Sequence, residues 1–91
     1  MNHSEIISRE RAVCVNAFRR YESNGVEIEE YTDNPELIDG WNVYLRVETP
    51  DDPQQPFDCI EEVERDFKTL ELANDYATTL ANKYNADIQH Y

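Results

Sequence analysis

The chain has 91 residues, enough for one domain and too few for two independent cores. Its hydrophobic content of 40%, with six Tyr, three Phe and one Trp, supplies a core and separates it from aromatic-poor disordered chains. Twenty acids against eight Lys and Arg give a net charge of −12, which repels nucleic acid and anionic membrane surfaces and favours cationic partners.

The N-terminal stretch MNHSEIISRERAV lacks the basic-then-apolar layout of a signal peptide. No apolar run approaches the ~20 residues of a membrane span, so the expected compartment is the cytoplasm. Residues 1–3 are expected to fray. Residues 4–22 read as a helix capped by Ser4, because Ile6, Ile7, Val13, Cys14, Ala17, Phe18 and Tyr21 recur at helical spacing. Arg19 and Arg20 suit its last turns, and Asn24-Gly25 supplies a left-handed stop. A strand over Ala12–Phe18 is the competing reading, since AVCVNAF is rich in β-branched residues.

After Gly25 the period changes to two. Val26 and Ile28 alternate with Glu27 and Glu29, and Trp41, Val43, Leu45 and Val47 alternate with Asn42, Tyr44, Arg46 and Glu48. Both segments read as half-buried strands, joined across DNPELIDG as an antiparallel hairpin with a long loop. TPDDPQQP, residues 49–56, holds three of the four prolines and no apolar side chain, which makes it an exposed loop.

Phe57–Lys68 fits a helix and a strand alike. The next residues decide between them: Thr69 is an N-cap, followed by Glu71 and an apolar stripe through Leu72 or Ala73, Tyr76, Ala77, Leu80 and Tyr84. A helix starting there leaves Phe57–Lys68 as a strand with Val63 and Phe67 inward and Glu62, Glu64 and Asp66 outward. ADIQHY, after a turn at Asn85, reads as a final edge strand. The expected fold is a single α+β domain over residues 1–91, in two layers and the order α-β-β-β-α-β. Its antiparallel sheet carries helices on one face and acids on the other.

Signals for chemistry are absent. The two histidines, His3 and His90, stand at opposite ends of the chain, and the few serines form no GxSxG elbow. Cys14 and Cys59 show no metal-ligand spacing and read as buried thiols. Two glycines, Gly25 and Gly40, make no phosphate loop, and the acidic loops lack the register of a calcium-binding hand. No catalytic residue, cofactor or metal is therefore expected.

Charge is the remaining signal. Residues 22–66 hold fifteen acids and two bases, Arg46 and Arg65, a net −13 against +1 for the rest. On strands, Glu27, Glu29, Tyr31, Tyr44, Glu48, Glu61, Glu62, Glu64 and Asp66, with Asp51 and Asp52 on the loop, are the candidate partner-binding residues. Same-face neighbours ~6.8 Å apart on strands ~4.8 Å apart make a carboxylate lattice suited to a basic, nucleic-acid-binding protein, with tyrosines to stack on guanidinium groups. In size, acidity and lack of catalytic motifs the chain resembles, in character, the nucleic-acid mimics that mobile elements use against restriction and CRISPR systems, and toxin-neutralising immunity proteins. That resemblance implies a non-enzymatic inhibitor. The alternative is a general interaction module or homodimer whose acidity confers solubility.

Overall fold

A computed structural model of the chain describes residues 1–60 and 66–91. The elements are α1 (His3–Ile7), β1 (Arg11–Ser23), β2 (Val26–Tyr31), a 3-10 turn (Pro35–Leu37), β3 (Gly40–Glu48), β4 (Phe57–Ile60), α2 (Leu70–Tyr84) and β5 (Asp87–His90). The fold is α+β: a curled, mainly antiparallel sheet with two helices.

The helix expected over residues 4–22 is corrected. Only His3–Ile7 is helical, capped by Asn2 rather than Ser4, and Arg11–Ser23 forms a 13-residue strand at the centre of the sheet. Every residue from Val13 to Phe18 is buried. The strand presents Val13 and Val15 to the helix-side core and Cys14, Asn16 and Phe18 to the opposite face, so a run buried on both sides shows no strand period. Asn24 and Gly25, with φ of 52° and 78°, are the two central residues of a tight hairpin turn joining β1 to β2, not a helix stop.

The expected hairpin between residues 26–31 and 41–48 is likewise corrected. β1 lies between them, pairing antiparallel with β2 through residues 18–23 and with β3 through residues 11–18. The sheet order is β2-β1-β3-β4. β5 runs parallel to β1 beside residues 12–15, on the β1 edge that β2 occupies further along. An added strand thus changes the expected order of elements. Of the third expected strand, Phe57–Ile60 pairs with β3, and Phe67 bridges Trp41; residues 61–65, including Val63, lie outside the described residues.

α2 forms where expected. The Thr69 side chain accepts the Leu72 N–H at 3.2 Å, and Asn85 ends the helix in the left-handed conformation. Ala73, Ala77, Leu80 and Tyr84 bury the stripe against Val13, Val15, Val43, Leu45 and Val47, while Leu72 is left exposed. The small Ala73 and Ala77 let the helix axis approach the sheet closely. α1 closes one end of this core with Ile6. His3, expected to fray, stacks on Tyr84 at 5.4 Å, its Nε2 hydrogen-bonding the Lys83 carbonyl oxygen at 2.9 Å.

Arg11 joins these parts. Its guanidinium donates to the carbonyls of Ile7 at 3.0 Å, Tyr84 at 2.6 Å and Asn85 at 2.8 Å, so one cation serves the C-terminal ends of both helices. Those carbonyls have no intrahelical partner, and positive charge is favoured at that end of the helix dipole.

Candidate functional site: the sheet face away from α2

Alternation along the strands places Glu27, Glu29 and Tyr31 on the same face as their β1 partners Glu22, Arg20 and Phe18. Asn42, Tyr44 and Arg46 join that face opposite Asn16, Cys14 and Ala12. Phe57 and Cys59 of β4 stand opposite Glu48 and Arg46. The expected co-location of Glu27, Glu29, Tyr31, Tyr44 and Glu48 on a face away from α2 is thus found in the pairing.

The acids are not an unopposed lattice, however. At one end, Arg20 reaches Glu27 at 3.1 Å, Glu29 at 3.2 Å and Asp66 at 2.9 Å, and its own N–H donates to Asp39 at 2.5 Å. Donating to the Asp66 and Glu29 carboxylates holds the Arg20 guanidinium still more firmly protonated than usual. The Asn42 amide donates to the other Glu29 oxygen at 3.1 Å. Beneath these groups lies the buried Phe18 ring, 5.1 Å from the Arg20 guanidinium carbon. Gly40, opposite Phe18, is required here: a Cβ would stand 2.8 Å from the ring tip and 3.1 Å from the Phe67 carbonyl oxygen.

At the other end, Arg46 pairs with Glu48 at 3.5 Å and lies over the Phe57 ring at 4.4 Å. Asp51 and Asp52 follow on the loop. Asp51 shares a recess with Arg9 and Glu48, whereas Asp52 accepts the Gln54 and Gln55 N–H groups at 3.0 and 3.2 Å and is occupied in shaping the turn. Glu61, Glu62 and Glu64 lie outside the described residues. The positions beside Glu48 and opposite Glu29, Glu10 just before β1 and Arg20 within it, are ten residues apart, roughly 33 Å of extended chain.

Between the two acidic ends the face is aromatic. Tyr31, Tyr44, Phe57 and Tyr91, with Asn16 and Arg46, line a cleft of about 300 Å³. Tyr31 and Tyr91 are 65% and 64% exposed, so the strip is available to a partner. Burial pushes the Tyr44 phenol up to about 12, against a smaller opposing effect from the nearby Asn16 amide. Burial also raises the Cys14 thiol, which makes it a poor nucleophile at neutral pH. The pairing of both cysteines as buried thiols is corrected: Cys14 is buried, but Cys59 is exposed on β4, a short strand whose side chains are covered on one face only.

Two buried amides on this face each carry one unpartnered atom. Asn16 and Asn42 stand directly opposite each other and are each 4% exposed, yet Asn16 Nδ2 and Asn42 Oδ1 make no hydrogen bond. Arg20, Asn16, Phe57 and Tyr91 were not anticipated as part of the site. Asn16 and Arg20 were hidden by the helical reading of residues 4–22; Asn42 and Arg46 were visible in the alternation of β3.

Among the described residues no group of three or more His, Cys, Asp or Glu side chains is arranged to hold a metal. No helix among them is long and apolar enough to cross a membrane. The chain matches no protein-family model, no curated protein and no solved structure.

Proposed function

We propose that the chain is a non-enzymatic, acidic protein-binding module whose sheet face away from α2 docks on a basic protein surface, in the manner of a nucleic-acid mimic inhibiting a DNA- or RNA-binding protein. The observation that carries this reading is the layout of that face. Carboxylates Glu27, Glu29 and Asp66 at one end and Glu48 and Asp51 at the other flank an exposed aromatic strip. Tyrosines between acids offer stacking surface to guanidinium groups that the acids attract. A surface evolved to bind phosphates presents such cations in rows.

The test is affinity capture from host lysate at low and high salt, followed by addition of competing nucleic acid. The expected result is a basic protein held at low salt, released at high salt and displaced by nucleic acid, because exposed charges are screened beyond ~8 Å at physiological ionic strength. Recovery of no basic protein at low salt overturns the reading. Association with a second copy is the competing interpretation, favoured by the exposed Tyr31, Tyr91 and Phe57. It has the opposite salt dependence, since two acidic faces repel until salt screens them.

A further inference from the structure

We infer that the recess between Glu29, Tyr31 and Asn42 is a receptor for a single arginine side chain of the partner; the inference rests on the binding mode proposed above and assigns its anchoring contact. The recess has a volume of about 420 Å³, with Glu30 completing its lining. Its chemistry is that of an acceptor. Asn42 donates its amide N–H to Glu29 at 3.1 Å, which fixes the orientation of the amide and leaves Oδ1 as the unpartnered atom. A carboxylate offers about four acceptor positions. Glu29 uses one on Asn42 and one on Arg20, so acceptor capacity remains on both of its oxygens.

An unpartnered carbonyl oxygen on a residue 4% exposed is costly, and a donor entering from outside relieves that cost. Glu29, held by Asn42 and Arg20, and Tyr31 line the recess beside it, and Tyr31, 65% exposed, can swing aside on the nanosecond scale. The entering donor must bond a carboxylate and an amide oxygen together while lying against a phenol ring. A planar guanidinium has the forked donors and the stacking face for this; a compact ammonium has neither. On the far side of Tyr31, the unpartnered Asn16 Nδ2 offers a donor to the carbonyl of a peptide lying across the face. Two resident cations already stand at the recess, Arg20 on Glu29 at 3.2 Å and Arg19 on Glu30 at 2.5 Å, so the guest takes the acceptor positions they leave, while Arg46 is held away by Glu48 and Phe57.

The experiment compares two capped peptides of equal length and charge, one carrying arginines and the other lysines, by calorimetric titration of the whole chain at about 0.15 M salt. The arginine peptide should bind roughly tenfold more tightly, the effect of one hydrogen bond to a charged group. Tyr31→Ala and Asn42→Leu should each abolish that preference and leave lysine-peptide affinity unchanged. Asn42→Leu also gives up the bond to Glu29, so its melting curve is recorded before titration. If that variant fails to fold, Tyr31→Ala, at an exposed position, decides alone. Equal affinity for the two peptides, or an arginine preference that persists in Tyr31→Ala, overturns the receptor and leaves the basic-partner reading standing. Binding of neither peptide overturns both.

Discussion

Replacing Gly40 by Ala tests the packing beneath the candidate face. The added Cβ would stand 2.8 Å from Phe18 Cζ, 3.0 Å from Cε1 and 3.1 Å from the Phe67 carbonyl oxygen. Neither neighbour yields easily. The Phe18 ring is 2% exposed, and the Phe67 carbonyl accepts the Trp41 N–H at 2.9 Å in the bridge that anchors the chain before α2. Overpacking of this kind costs about 1–3 kcal/mol. The reduced freedom of the unfolded chain returns ~0.4–1 kcal/mol, leaving a net loss of about 1–2 kcal/mol. For a domain of this size the melting temperature should fall by roughly 5–12 °C. Phe18→Leu in the same chain should relieve part of the clash, so a double-mutant cycle should show coupling above ~0.5 kcal/mol. A melting temperature unchanged or raised in Gly40→Ala, or strict additivity in the cycle, would refute the packing described.

Arg11→Met should lose about 2 kcal/mol in denaturant titration, the scale of hydrogen bonding to a charged group, because it strips the carbonyls of Ile7, Tyr84 and Asn85 of one shared donor. Arg9→Met, which removes a single bond to the Glu48 carbonyl at 3.3 Å, should change stability much less. Arg20→Gln should lower the melting temperature at low ionic strength and lose that deficit as salt rises, since it leaves Glu27, Glu29 and Asp66 facing one another. Tyr44 carries an alkaline signature. Its folded pKa of about 12 lies above the ordinary 10.0, so the neutral phenol contributes stability in full below pH 10 and loses it progressively between pH 10 and about 12. Phenolate absorbance should accordingly show a late-titrating tyrosine that Tyr44→Phe removes.

Much of the sheet and α2 was legible because their patterns are exposed on one side. In β3, Val43, Leu45 and Val47 face α2 while Tyr44, Arg46 and Glu48 do not, and the period of two survives. The Thr69 cap and the Ala73–Tyr84 stripe are equally local signals, set within one helix. β1 was not legible in the same way. Its neighbours on both edges and burial on both faces make Ala12–Phe18 apolar apart from Asn16, and such a run also satisfies helical spacing. Asn24-Gly25 added to the ambiguity, because a helix stop and a two-residue hairpin both call for positive φ.

The charge map lacked one cation for a related reason. Counting along the chain leaves Arg20 outside the acidic segment, but a hairpin sets it opposite Glu29 and within 2.9 Å of Asp66. Strand pairing, which composition does not carry, turned an expected lattice of free carboxylates into two partly neutralised ends around an aromatic strip. The buried Asn16–Asn42 pair was invisible for the same cause: each is an ordinary polar residue until register sets them face to face.

The most direct test of the account is a map of backbone amide shifts in the labelled chain as an arginine-rich peptide is added. The account predicts changes concentrated in residues 27–31, 42–48 and around Asn16, all reversed by salt, with the exposed side of α2 unaffected. Changes centred on α2, or none along β2 and β3 at saturating peptide, would contradict it.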